Sequence, residues 1–262
     1  MSRASAHTLT RLADVPTSPR AAAESLPPRT AAVWSALDTV LGSGTLRVLD
    51  VGGGSGTLAV PLAQGGQGVG AGVDDGDVVS ALRRRAETAG VGERVRGVQG
   101  DGDLLHEVLP ATAAADGGFD LALCHSVLEV VDDPATTLRE IAAAVRPGGT
   151  VSIAAANRAG AVLTRALGGH PKEALALLED RDPAPGRARP VRRRFDPAEL
   201  LALVEGAGLH AEGWRGVSVV ADLLEADSGA DPAAVRDLEL ALSDTSPYRD
   251  VATGLHVLAS RR

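Results

Sequence analysis

The sequence predicts an α/β protein built on a parallel sheet with helices on both faces. Three observations carry that expectation. Short apolar runs alternate with amphipathic runs from residue 29 to residue 156 without a break, the pattern of strands joined by helical crossovers. The short runs are apolar nearly throughout, as strands buried on both faces are. Glycine-rich or acidic turns follow successive strands at 52–56, 74–77 and 100–103, with His125 opening a further turn. In open α/β sheets, ligands sit beyond the carboxyl ends of the strands, where these turns fall.

Composition sets the outer bounds. The chain has 262 residues, 44% hydrophobic and 23% charged, which suits one large domain. Residues 1–28 are rich in Ser, Ala, Arg and Pro and read as a flexible N-terminal tail. Pro16, Pro19, Pro27 and Pro28 would interrupt an amphipathic transit helix, and no secretory apolar region is seen, so a cytoplasmic location is expected. The single cysteine, Cys124, excludes an internal disulfide framework. No apolar run approaches the length of a membrane span. A net charge of -8 argues against non-specific nucleic-acid binding and leaves room for a local basic patch. No cluster of metal ligands is apparent, and the oligomeric state is not encoded in any motif.

Residues 29–41 place Val33, Leu37, Val40 and Leu41 on one helix face, with Gly42 and Gly44 as the stop. Residues 47–51 form the first strand, with Asp50 near its end. Gly52, Gly53, Gly54 and Gly56 crowd the turn, and a helix follows over 57–63. Glycines admit a ligand close to the backbone, and the helix start offers free N–H groups. The spacing is Asp-x-Gly-x-Gly-x-Gly. A dinucleotide fingerprint would need glycine at position 57, which is Thr57.

The second strand, 68–73, runs into Asp74-Asp75-Gly76-Asp77 and a helix over 78–89. Asp74 lies about twenty residues past the glycine turn, where a carboxylate accepts both hydroxyls of a ribose. The plainer alternative is that these acids only cap the helix, the role given to Asp75 and Asp77. A third strand over 94–99 leads to Gly100-Asp101-Gly102-Asp103, an acidic turn suited to the exocyclic amine of adenine. A fourth strand spans 118–124, followed by His125. Asp133 caps a helix that starts at Pro134 and runs to about residue 145. Arg146-Pro147-Gly148-Gly149 reads as a tight turn before a fifth strand at 150–156.

Residues 157–195 break the alternation as a lid-like insert. Helical pieces fall at 159–167 and 171–178, then a Pro- and Arg-rich loop carries Arg187, Arg189, Arg192, Arg193 and Arg194. Either this cluster binds phosphates or an anionic substrate, or it is a solvated loop. Aromatic residues make up only 2% of the chain, a small supply for base stacking. Asp196 then caps a helix ending at Gly206 or Gly208. A strand at 210–220, a helix at 231–242 and a closing strand at 254–260 complete the chain.

Asp50-x-Gly52-x-Gly54-x-Gly56, Asp74, the Asp101 turn and Arg146-Pro-Gly-Gly149 resemble class I S-adenosyl-L-methionine (SAM) dependent methyltransferases. A narrower resemblance runs through Cys124-His-Ser-Val-Leu-Glu129, Asp133-Pro134, Asn157, the arginine cluster, Pro247-Tyr248 and His256-Val257. These look like the bacterial tRNA 5-carboxymethoxyuridine carboxyl methyltransferases. The resemblance implies a Rossmann-like, seven-stranded, mostly parallel sheet whose last strand is antiparallel. It implies SAM as cofactor, held by Arg29, Asp50, Gly52, Gly53, Gly54, Asp74, Asp101, Gly102, Asp103 and His125. In that group the residue matching Arg29 holds the cofactor's methionine carboxylate and the one matching His125 touches the cofactor. The chain departs from the group in the acids at 101 and 103, and in arginines where the insert has a lysine run.

The expected chemistry is methyl transfer to a carboxylate on a modified tRNA wobble uridine. A carboxylate needs no general base, and the sequence offers no clear one. A small-molecule methyltransferase is the first alternative, with the insert as a substrate lid. More distant are a nicotinamide-dependent oxidoreductase, against which the absence of a Tyr-x-x-x-Lys pair counts, and a non-catalytic SAM-binding module. Cys124 and His125 are neighbours on a strand and point to opposite faces, so they do not form a nucleophile–base pair. Cys124 reads as a buried hydrophobe and His256 as structural. Glu129 is either a substrate contact or a surface helix residue, and Tyr248 either lines the acceptor pocket or is structural.

Overall fold

The computed structural model describes residues 27–42, 44–73, 76–100, 105–109, 117–179, 192–224 and 229–262. Asp74, Asp101, Gly102, Asp103, Arg187, Arg189 and residues 1–26 of the tail expected at 1–28 lie outside the described residues.

Seven strands form one sheet: β1 (Arg47–Val51), β2 (Gly68–Val73), β3 (Val95–Gln99), β4 (Phe119–His125), β5 (Val145–Ala156), β6 (Leu209–Val217) and β7 (Gly254–Arg261). The order is β3-β2-β1-β4-β5-β7-β6. Pairs among β1 to β5 are parallel, and β7 lies antiparallel between β5 and β6. The strand order reverses between β1 and β4, which opens a crevice at their carboxyl ends.

The described helices are α1 (Pro28–Leu41), α2 (Ala59–Gln64), α3 (Gly76–Thr88), α4 (Leu105–Val108), α5 (Pro134–Ala144), α6 (Arg158–Leu167), α7 (Pro171–Glu179), α8 (Pro197–Gly206) and α9 (Pro232–Ser243). Side-chain oxygens start three of them. Asp133, Asn157 and Asp231 accept from the N–H groups of Ala135, Ala159 and Ala233 at 3.0, 3.1 and 3.2 Å, which satisfies donors that a helix start leaves unpaired.

Two apolar clusters cover the sheet. One packs Val51, Cys124, Ile153 and Val257 with Leu138 and Ile141 of α5 and Leu200 and Val204 of α8. The other packs Val48, Leu121 and Leu123 with Trp34 and Leu37 of α1 and Leu82 of α3. This separation is the period-two alternation of buried strands.

Several boundaries differ from expectation, three of them for local reasons. The helix after the glycine turn begins at Ala59, because residues 54–58 are still in turns and Gly56 has φ +85°. The Arg146–Gly149 turn is an excursion within β5: Val145 pairs with Phe119, Thr150 pairs with Leu121, and four residues loop out between. β6 ends at Val217, since Ser218 turns the chain at φ +57°. The carboxylate of Glu239 then takes the N–H groups of Val219, Val220 and Ala221 at 2.8, 2.8 and 2.6 Å, leaving none for a ladder.

Candidate active site

The glycine turn leaves β1 at the crevice. The Gly52 N–H donates to the Gly72 carbonyl at 2.8 Å, so the turn starts in register with β2. Gly52 and Gly54 have φ of +68° and +53°, a region that L side chains rarely enter. A Cβ on Gly52 would stand 2.5 Å from Cγ2 of Val127, and one on Gly53 would run into the Asp50 carboxylate. The backbone here has to be bare.

Asp50 lies beneath this turn and is 1% exposed. Its Oδ2 is buried and has no hydrogen-bond partner. Burial alone pushes its carboxyl up to about 7, because nothing nearby compensates the buried charge. A buried acceptor under a glycine turn fits a ligand ammonium, as the amino group of SAM would supply. The residues present therefore fit the cofactor.

His125 ends β4 two register rows beyond Asp50, whose partner on β4 is Leu123. Its Nε2 is 2.8 Å from Ser152 Oγ on β5, and Ser152 Oγ is 2.8 Å from Nε2 of His256 on β7. The imidazoles meet edge to face, 5.9 Å apart at 89°. Burial lowers His125 to about 4 and, with His125 and Arg215 adding to it, takes His256 well below its usual value. Both rings are neutral at pH 7. Cys124 faces the other side among apolar residues, and burial drives its thiol upward, with Glu129 and Asp50 adding to the shift. The two neighbours form no dyad, as the strand period requires.

Arg29 opens α1 and its guanidinium pairs with Asp222 at 2.5 Å. Asp222 also accepts from the Thr253 hydroxyl at 2.5 Å. The structure thus places Arg29 against a carboxylate of the loop after β6. Glu129 is neither on the surface nor in a helix. It is buried in the turn after β4, where its Oε1 accepts from the Ala156 N–H at 2.8 Å while Oε2 has no partner. Burial raises its carboxyl, and the Ala156 N–H, Arg192 and Arg194 act the other way. Tyr248 is half exposed, at 50%.

The described arginines of the basic cluster divide. Arg193 is engaged with the rim turn: its backbone N–H donates to Glu129 O at 3.0 Å, and its guanidinium donates to the Val131 and Asp132 carbonyls. Arg192 is exposed. Arg194 is lowered by burial and then by Arg165, Arg158 and Arg192, which marks a concentration of positive charge beside the turn. Ser152, Asp222 and Glu239 were not singled out from sequence. Ser152 did leave a signal, a hydroxyl within the apolar run 150–156.

No described helix is long and apolar enough to cross a membrane, and no group of metal-ligating side chains occurs among the described residues. Residues 1–212 match the family model described as a methyltransferase domain. The chain is 28% identical over 242 residues to the tRNA 5-carboxymethoxyuridine methyltransferase of Escherichia coli (strain K12), covering 89% of this chain and 88% of that one. A ubiquinone biosynthesis O-methyltransferase of Aeromonas salmonicida (strain A449) is 34% identical over 103 residues, 38% of this chain and 39% of the relative. Among solved structures, an S-adenosylmethionine dependent methyltransferase from Mesorhizobium loti superposes with a TM-score of 0.57 at 21% identity, covering 89% of this chain and 100% of that one. Magnesium protoporphyrin IX methyltransferase from Synechocystis PCC 6803, solved with bound S-adenosylhomocysteine (SAH), gives 0.55 at 16% identity over 90% and 82%. These two share its fold. With the glycine turn, the unpartnered Asp50 and the sheet topology in place, the family match is decisive: the chain belongs to the methyltransferase domain family, as a SAM-dependent methyltransferase.

Proposed function

We propose that the enzyme methylates a carboxylate on a modified tRNA wobble uridine. The observation that carries this is the likeness to the tRNA 5-carboxymethoxyuridine methyltransferase, which extends across 89% of the chain rather than the cofactor half alone. The arginines at 192 and 194 beside the rim turn support an anionic acceptor. Bound SAM supplies an electrophilic methyl on sulfonium.

The chain's own residues bind and orient. The Asp50 carboxylate takes the cofactor ammonium. Gly52, Gly53 and Gly54 leave room for its amino-acid end along the bare backbone. Asp74 and Asp101, with Gly102 and Asp103, hold the nucleoside, and Arg29 turns to the methionine carboxylate. An ionised carboxylate has no proton to lose, so these residues would act by aligning it with the sulfonium methyl and excluding water. The S–CH3 bond breaks as the O–CH3 bond forms, with SAH as the leaving group. No residue is needed to activate the carboxylate.

A small-molecule acceptor is the second reading. The ubiquinone biosynthesis O-methyltransferase likeness favours it, although that match covers 38% of this chain. Labelled SAM separates the two. The enzyme is incubated with tRNA containing or lacking carboxymethoxyuridine, and with a small-metabolite extract. Label is expected in the carboxyl-bearing RNA and is expected to be released by mild base, as a methyl ester is. Label confined to small metabolites would overturn the RNA assignment.

A further inference from the structure

Three polar side chains run in line across the sheet beneath the rim. His125, Ala154 and His256 are register partners on β4, β5 and β7, so their side chains share a face. Alanine between the two histidines leaves room for their rings to meet. Ser152, two residues back on β5, puts its hydroxyl 2.8 Å from Nε2 of each ring. Ser152 and His256 are 0% and 1% exposed, while His125 is half-buried at the crevice. The Nδ1 of His256 is buried and unpaired.

Proton counting restricts this arrangement. A serine hydroxyl has one proton to give and lone pairs to receive with. Two neutral rings face it, both through Nε2. If both rings carried Nε2–H, the serine proton would have no acceptor in either ring that contacts it. One ring must donate to Ser152 and the other must accept from it. Suppose His256 accepted. It would then bury an unpaired Nδ1–H, and orphaned N–H groups are rarer in interiors than orphaned acceptors. His256 therefore donates from Nε2, Ser152 relays, and His125 accepts at Nε2. The proton of His125 is left on Nδ1.

We propose that Ser152 and His256 are positioning residues that hold His125 as the Nδ1–H tautomer, presenting a donor to an oxygen atom of the ligand bound at the rim. An oxygen is selected because a fixed N–H pairs with a lone pair and repels an ammonium or amide N–H. The tautomer assignment stands on this geometry and on the neutrality of two buried rings, and the identity of the ligand rests on the cofactor site proposed above.

The test has one arm without ligand and one with SAH. In the full chain labelled with 15N, long-range proton–nitrogen spectra at pH 7 report which ring nitrogen carries the proton. Resonances are assigned by loss in H125Q and H256Q. The expectation is a protonated Nδ1 and bare Nε2 for His125, and the reverse for His256. A His125 protonated at Nε2 overturns the proposal.

Ser152→Ala should leave His125 as a tautomer mixture and weaken SAH binding roughly tenfold, the equivalent of one hydrogen bond. His256→Gln keeps a donor amide and should retain both tautomer and affinity, whereas His256→Leu should lose them. Unchanged tautomer and affinity in a folded Ser152→Ala overturn the relay, and should that variant not fold, the glutamine and leucine pair decides the same question. If the wild-type tautomers are as expected but SAH does not bind, the cofactor site fails and the relay stands.

Discussion

Strands β1, β4, β5 and β7 present two unlike faces. On one, Val51, Cys124, Ile153 and Val257 are successive register partners and all nearly or fully buried. On the other, one step along each strand, lie Asp50, His125, Ser152 and His256. The backbone and its ladder are the same, so the difference lies in what each face is for. The first is closed and needs nothing else. The second holds Trp34 Nε1, Asp50 Oδ2 and His256 Nδ1 buried without partners, and each such atom opposes folding by about 1–3 kcal/mol. Under the proposed function the cofactor is the partner of the one beneath the glycine turn, Asp50, and the stability given up there would keep that site ready.

The sharpest way to break the comparison is to remove bulk from the closed face. Ile153→Ala should destabilise by about 2–5 kcal/mol, read as a loss of roughly 2–4 °C in Tm for each kcal/mol. SAH affinity of the folded fraction, measured by calorimetry, should not change. A parallel fall in affinity would show that the faces are not separable.

On the open face the same experiment should give stability and binding of opposite sign. Asp50→Asn keeps the shape and removes the buried charge. Without cofactor its Tm at pH 8 should exceed that of the parent chain. SAH affinity should fall about tenfold to a hundredfold, as for a lost charge-assisted hydrogen bond. A variant that lost both stability and affinity would mark Asp50 as structural.

The pH dependence sharpens this further. Asp50 has a folded value of about 7 against an ordinary 3.8, so the folded state without cofactor binds the extra proton between those values. Its contribution is most favourable below about 4 and is lost as pH rises towards 7. His125, lowered to about 4, acts oppositely: its contribution is present above 6.5 and lost as pH falls towards 4. The difference in Tm between the parent chain and Asp50→Asn isolates the first effect and should widen from pH 4 to pH 7. SAH affinity should rise from pH 6 to pH 8 in the parent chain and stay flat in the variant.

Much of the closed face, and the bare glycine turn after β1, was legible in the sequence. The first and second strands read as apolar runs ending in a glycine turn and an acidic turn, and β1 and β2 fall at the expected residues. Local spacing is enough there, because a parallel strand's address is its own run plus the turn that follows. The open face was less legible. Ser152 and His256 are 104 residues apart and meet only because β7 enters antiparallel in one register, which no local pattern states. Glu239 is likewise a residue in an amphipathic helix until the loop at 219–221 folds onto its carboxylate. Glu129 was open between a substrate contact and a surface helix residue; the second is excluded, since Glu129 is buried in a turn after β4 that meets Arg193 rather than continuing as a helix.

The smallest expected effect is at Cys124, and it tests the boundary between the faces. The thiol is fully buried and held neutral by burial, with Glu129 and Asp50 reinforcing that. A thiol kept from ionising is a poor nucleophile, and its neighbour His125 is turned to Ser152. Cys124→Ala removes one sulfur from a packed layer, so a loss near 1 kcal/mol is expected, with kcat/KM unchanged within about twofold. The native thiol should react with iodoacetamide no faster than the chain unfolds. Rapid alkylation that SAH prevents would place Cys124 on the ligand side and erase the division between the two faces.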